Sequence, residues 1–299
     1  MKKIIFLLLT ITLCLVGVNA QDILNTEEMN SVYKKAKHHN KRVQQYAPLR
    51  QADVMWSRKI WREIDLRQKI NHPFYYPEND GDAHTILDRM SLIDVVYSAI
   101  QEGTITAYDN AIMDDEFREE MSQDAIKKIG GAKEEMVETI DFEKLAEGYS
   151  EEESTKMVLE KNPFNRNSVK KWRLKEEWFF DKQRSVMDVR ILGIAPLQED
   201  KDEVTGKLTG GFSPLFWVYF PEAREVLINA EVFNLVKNNA ERRTYDDIFW
   251  KRMFGSTITK ESSVMNRNVN EYMVGLDALL EAERIKTEIF NMEHDLWEY

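Results

Sequence analysis

At 299 residues the chain has room for one large or two ordinary domains, and its 52 acidic against 41 basic side chains give a formal charge of −11. That balance argues against a nucleic-acid partner, whose binders carry a basic face. A single cysteine, Cys14, rules out an internal disulfide framework, so packing has to hold the fold together.

Residues 1–20 read as a secretion signal. Lys2 and Lys3 form a basic start, Ile4 to Val16 an apolar run, and Val18-Asn19-Ala20 a small-residue cleavage site before Gln21. The apolar run is shorter than the ~20 residues that span a bilayer. Ile11-Thr12-Leu13 before Cys14 lack the small residues of a lipoprotein site. Cleavage between Ala20 and Gln21 leaves a cysteine-free chain, expected in the periplasm or beyond.

Residues 21–50 predict an N-terminal helix or arm. Thr26 is a plausible N-cap, Glu27 and Glu28 sit in the first turn, and the helix is expected to reach about Gln45 before Pro48. Its apolar stripe of Met29, Val32, Tyr33 and Ala36 is thin, and Lys34, Lys35, Lys37, Lys41 and Arg42 make it basic.

Residues 51–110 are read as an N-terminal α+β half. Val54, Trp56, Ile60, Ile64 and Leu66 fall on even positions, as in a strand, while Trp56, Ile60 and Ile64 also fit a helical step. The alternating charge and the Trp and Ile content favour a long, half-exposed strand. From Thr85 to Gln101, Ile86, Met90, Ile93, Val96, Tyr97 and Ile100 share a helical stripe, with Gly103 as C-cap. A short strand over Thr104–Tyr108 follows.

Residues 111–165 are expected to be an acidic helical connector; over 109–153 there are sixteen acids against five bases. Charge complementarity between this stretch and the basic arm, and a solvated helical face in each, are both open readings. Residues 166–269 predict a C-terminal α+β half, with strands across 169–194 and a hairpin tip near 198–206. A doubly buried strand, Leu215 to Phe220, is closed by Pro221, and helical spacing runs from Glu225 to Asn239. A C-terminal helix occupies 270–299. Trp56, Trp61 and Asp65 are echoed by Trp172, Trp178 and Asp181. The elements predict an α+β fold of mixed or antiparallel sheets with flanking helices, in which two related halves are an open reading.

No constellation with catalytic spacing emerges. His38, His39, His72, His84 and His294 lie in no metal-ligand frame, and neither a nucleophile elbow nor a phosphate loop is present. Neither a metal nor a cofactor is expected. Carboxylates are so numerous that an acid/base pair for an envelope enzyme carries little information. Trp56, Trp61, Phe74 and Tyr75 could stack on sugar rings, which leaves a carbohydrate-binding module as the alternative. Trp56, Arg58, Trp61, Arg62 and Tyr75 combine the residue types that concentrate energy at protein interfaces, and they are the candidate partner-facing patch.

The run Ala52-Asp-Val-Met-Trp-Ser-Arg-Lys-Ile-Trp-Arg-Glu-Ile-Asp-Leu-Arg-Gln-Lys-Ile-Asn-His-Pro73 resembles the gliding-motility GldN (PorN) family, as do Leu215-Phe-Trp-Val-Tyr-Phe-Pro-Glu-Ala-Arg224 and Thr244-Tyr-Asp-Asp-Ile-Phe249. The resemblance implies a non-catalytic component of the type IX secretion system, held in the periplasm at the outer membrane. It further implies association with the outer-membrane lipoprotein GldK (PorK), self-association in a ring, and linkage to the inner-membrane motor proteins GldL and GldM. It brings no catalytic or cofactor residues.

Overall fold

Val54, Trp56, Arg58, Ile60, Arg62 and Ile64 alternate with Met55, Ser57, Lys59, Trp61 and Glu63, and the period of two sends these sets to opposite faces of a strand. The computed structural model describes residues 41–78, 89–109, 115–129, 133–140, 155–162, 164–201, 208–235, 238 and 240–295, with backbone alone at 133–140, 155–162 and 201. In chain order the elements are β1 (Val54–Asp65), α1 (His72–Tyr75), α2 (Leu92–Gln101), β2 (Ala107–Tyr108), α3 (Gln123–Lys127), β3 (Lys133–Ile140) and β4 (Thr155–Asn162). Then come β5 (Val169–Asp181), β6 (Val186–Lys201), β7 (Leu208–Pro214), β8 (Trp217–Tyr219), α4 (Phe220–Leu227), β9 (Glu231–Val232) and β10 (Arg243–Thr244). The last are α5 (Tyr245–Trp250), β11 (Thr257–Glu261), α6 (Val269–Tyr272) and α7 (Leu276–Asp295). The fold is α+β.

Seven strands form one antiparallel sheet in the order β11-β1-β5-β6-β8-β2, with β7 also paired to β6. The two tryptophan-bearing segments that echo each other in sequence are direct partners here. Trp61 lies opposite Lys175 and Ile64 opposite Trp172. The strand at 54–65 therefore shares one sheet with β5 to β8 and β11, while β9 and β10 pair separately.

The core sits mainly on the even face of β1. Ile64, Trp172, Leu174 and Ile194 pack there against Val96 of α2, Phe220 of α4 and Tyr245 of α5. Each fully buried aliphatic or aromatic side chain of this kind contributes ~1.5–3 kcal/mol. Ser91 caps α2 by accepting the Asp94 amide, and Gly103 takes the left-handed conformation (φ +74°) that ends it. A second cluster joins Ile60, Ile258 and Val269 to Ala278, Ala282, Ile285 and Ile289 of α7. A third, on the odd face of β1, joins Trp61, Ala195 and Trp217.

Several expectations change. β1 is the long strand expected and is half-exposed over 54–59, but Ile60, Trp61, Arg62 and Ile64 are buried where β11 and β5 flank it. Pro221 opens α4 instead of closing a strand, since its fixed φ suits a first helical turn, and β8 keeps only three residues. The helix expected from Glu225 to Asn239 therefore starts earlier and ends at Leu227.

Within 111–165 the described residues hold one five-residue helix, α3, while β3 and β4 form an antiparallel pair with Val137 opposite Val158. Val137, Thr139, Ile140, Thr155 and Val158 are the β-branched residues of that pair, a strand-favouring type. The last helix is two, α6 and α7, divided at Gly275 (φ +62°). Residues 41–50 carry no helix. Ala20, Gln21 and the rest of the arm lie outside the described residues.

Candidate functional site

Strand alternation scatters the five patch candidates. Trp56, Arg58 and Arg62 point to the even face and Trp61 to the odd one, while Tyr75 packs from α1 against the main core. Arg58 is tied to Glu261 of β11 (3.2 Å) and Glu288 of α7 (3.2 Å), with its guanidinium 5.7 Å from the Trp56 ring. Trp61 is only 7% exposed, too little for a residue placed in a partner-facing patch. The cations do not hydrate it; they stack on it. Lys260 Nζ lies 4.6 Å and Lys175 Nζ 5.7 Å from its ring, and its indole N–H donates to Asp115.

Phe117 completes this odd-face cluster. It meets Tyr108, Trp217 and Tyr219 edge-on and lies 5.5 Å from Lys175 Nζ. Its ring occupies the space a Cβ would take at Gly193, which is why β6 carries a glycine there. With Trp61 buried and Phe74 1% exposed, two of the four rings offered for sugar stacking are out of reach.

The even face holds an ionic centre that the sequence reading missed. Glu176, with no exposed surface, accepts from Arg62 Nε (3.1 Å), Arg252 Nη2 (2.9 and 3.1 Å) and Trp178 Nε1 (3.1 Å). Both guanidinium groups also lie against the Trp178 ring, at 5.7 and 5.3 Å. Burial pushes the Arg62 pKa down, and the Glu176 carboxylate pulls it back. Charged residues on alternate positions of β1 and β5 were the available signal, but their pairing is fixed only by register.

A second centre surrounds Tyr46. Arg224, 2% exposed, grips Asp246 at 2.7 and 3.1 Å and donates to the Gln44 carbonyl (3.0 Å). Its guanidinium lies 4.6 Å from the Tyr46 ring, with Arg190 at 4.9 Å and Trp250 stacked at 5.3 Å. Arg190 also donates to the Ala47 carbonyl (2.6 Å). Burial raises the Tyr46 pKa, so the phenol stays neutral. Beside it opens a cleft of about 480 Å³ lined by Tyr46, Arg184, Asp188, Phe220, Trp250 and Arg252. Arg184 and Arg252 are already paired with carboxylates there.

Perturbed groups serve structure in the same way. Tyr245, raised by burial, donates its hydroxyl to the Pro73 and Met90 carbonyls. Asp181 is held below the ordinary carboxylate value of 3.8, first by the Arg184 side chain (2.7 Å) and then by backbone N–H donors of the β5–β6 turn. A depressed native pKa means the unfolded chain binds more protons in the acid range. This contribution is complete above 3.8 and is lost as pH falls through the lower native value. Asp181→Asn is expected to flatten the acid limb of a urea-stability profile; an unchanged limb would place the acid sensitivity elsewhere. Among the described residues no cluster of three metal-ligating side chains occurs, and no helix is long and apolar enough to cross a membrane.

Fold and site together define an α+β scaffold on one antiparallel sheet, whose buried charges are paired with one another or stacked on rings. The chain belongs to the family of gliding motility associated protein GldN, which it matches over residues 49–298, a family of structural components of the gliding-motility and type IX secretion machinery. No curated protein matches the chain.

Proposed function

We propose that this protein is a non-catalytic structural part of the type IX secretion and gliding machinery. It would work in the periplasm, assembled with an outer-membrane lipoprotein of the GldK (PorK) kind into a ring linked to the inner-membrane proteins GldL and GldM. The observation that carries this reading is membership of the GldN family over 49–298. The signal-like residues 1–20 support the compartment. A ring needs each copy to offer one surface to its neighbour and another to the lipoprotein, and head-to-tail contacts close when the rotation allows.

Burial narrows the patch. Trp61 and Arg62 support the fold and Tyr75 packs on the main core, so Arg58 with the Trp56 ring against it is what remains of the original patch for a partner. Affinity isolation of the tagged protein from gently solubilised envelopes, followed by sizing and mass spectrometry, tests the proposal. A very large particle containing a lipoprotein supports it. A partner-free monomer would overturn it.

A further inference from the structure

Helix α7 is apolar on two sides. Ala278, Ala282, Ile285 and Ile289 face the sheet and are buried. On the opposite side, at the 3.6-residue period, lie Leu276, Leu279, Leu280 and Phe290, exposed at 70, 56, 60 and 64%. A surface helix normally turns a charged face to water. Val274, just before the helix, extends the apolar stripe at 83% exposure. Apolar side chains gathered in this way mark an association site.

The charges within the stripe identify what covers it. Glu283 and Lys286, both well exposed and paired at 3.1 Å, sit between Leu279 and Phe290. Read along the helix, the order is apolar, acid, base, apolar, with the two outer gaps equal. Turned end for end, the same order sets acid on base. When an antiparallel copy places its Phe290 on Leu279, that register also places its Lys286 on Glu283, and the reverse pair forms by symmetry. Two further acids of the helix are engaged away from the stripe, Glu288 with Arg58 and Arg284, and Glu281 with Arg284.

We infer that the outer face of α7 is a two-fold docking surface for a second copy of this chain, the two helices packing antiparallel. Such a contact is isologous, with one patch used by both copies. Helix pairing of this kind buries apolar knobs in the seam while flanking charges set orientation. The inference does not rest on the ring reading: a pair of copies can exist with or without the lipoprotein.

Cross-linking and charge exchange test it on the purified full chain. Because Cys14 is the chain's only cysteine, a Cys14→Ser background has none. There, Leu279→Cys/Phe290→Cys is expected to give a disulfide-linked dimer, and neither single variant should. The two sites are too far apart along one helix to bridge within a copy.

In sedimentation, Glu283→Lys and Lys286→Glu should each weaken the dimer about tenfold. The double exchange should bring it back. All these positions are exposed, so circular dichroism should show an unaltered fold. A monomer at every concentration would overturn the inference. So would cross-linking by Leu279→Cys alone, which signals parallel packing, or a double exchange that fails to restore association. If Leu279→Asp leaves self-association intact but abolishes lipoprotein capture, the face belongs to a different partner and the inference also falls.

Discussion

Glu176→Ala is expected to destabilise the protein by about 3–5 kcal/mol, the usual cost of removing one partner from a buried ionic group. Arg62 is 7% exposed and Arg252 sits beside it, so the variant leaves two neighbouring guanidinium groups against the Trp178 ring with no carboxylate between them. A domain of this kind holds ~5–15 kcal/mol in all, and the loss should show as a large fall in the urea midpoint followed by tryptophan fluorescence. The comparison that isolates the cause is Arg62→Met/Glu176→Leu/Arg252→Met, which removes all three charges together. If that triple variant is much nearer the parent than Glu176→Ala, the cost is uncompensated charge. If both fall equally, the cost is lost packing between the two core clusters and the ionic account is wrong.

That centre also shows why sequence alone reached only part of this fold. The alternation in 54–65 revealed a strand, and the period in 85–101 a helix with a glycine stop, because both signals are local; the helix starts at Leu92, and 85–88 lie outside the described residues. Burial of Trp61 and Arg62 was invisible, because it depends on which strands lie on either side. Lys175 looks like any surface lysine until β1 sets it opposite Trp61. Only then do Lys260 and Phe117 enclose the ring.

Charge was a misleading signal in 111–165, where it suggested helix and β3 and β4 pair instead. The apolar residues of α7 fall at helical spacing, but spacing alone does not say which of them face the core. Leu276, Leu279 and Leu280 look outward while two alanines make the close contact. Small residues let a helix approach a sheet that already carries Trp56 and Trp178, so the larger side chains are left for the other side.

The Tyr46 centre offers the second large effect, one that separates anchoring from core stability. Asp246→Ala should cost about 3–5 kcal/mol, because Arg224 is buried, its remaining protein acceptor is the Gln44 carbonyl, and two rings close over it. Tyr46→Ala removes a ring from between Arg190, Arg224 and Trp250 but leaves the Arg224–Asp246 pair whole. Its expected consequence is local. Amides of residues 42–50 should exchange at least about tenfold faster with deuterium, while those of β5 and β6 keep their protection, as opening of a weakly held segment predicts.

The two variants should therefore differ in kind. Asp246→Ala lowers the global unfolding midpoint, and Tyr46→Ala frees the segment with a small change in that midpoint. Equal global losses in both would mean that residues 42–47 belong to the cooperative core. A Tyr46→Ala protein with unaltered exchange would mean that the carbonyl bonds from Arg190 and Arg224 hold the segment by themselves. The geometry favours the ring, since three groups converge on it from two helices and a strand, whereas each carbonyl accepts one bond at the rim.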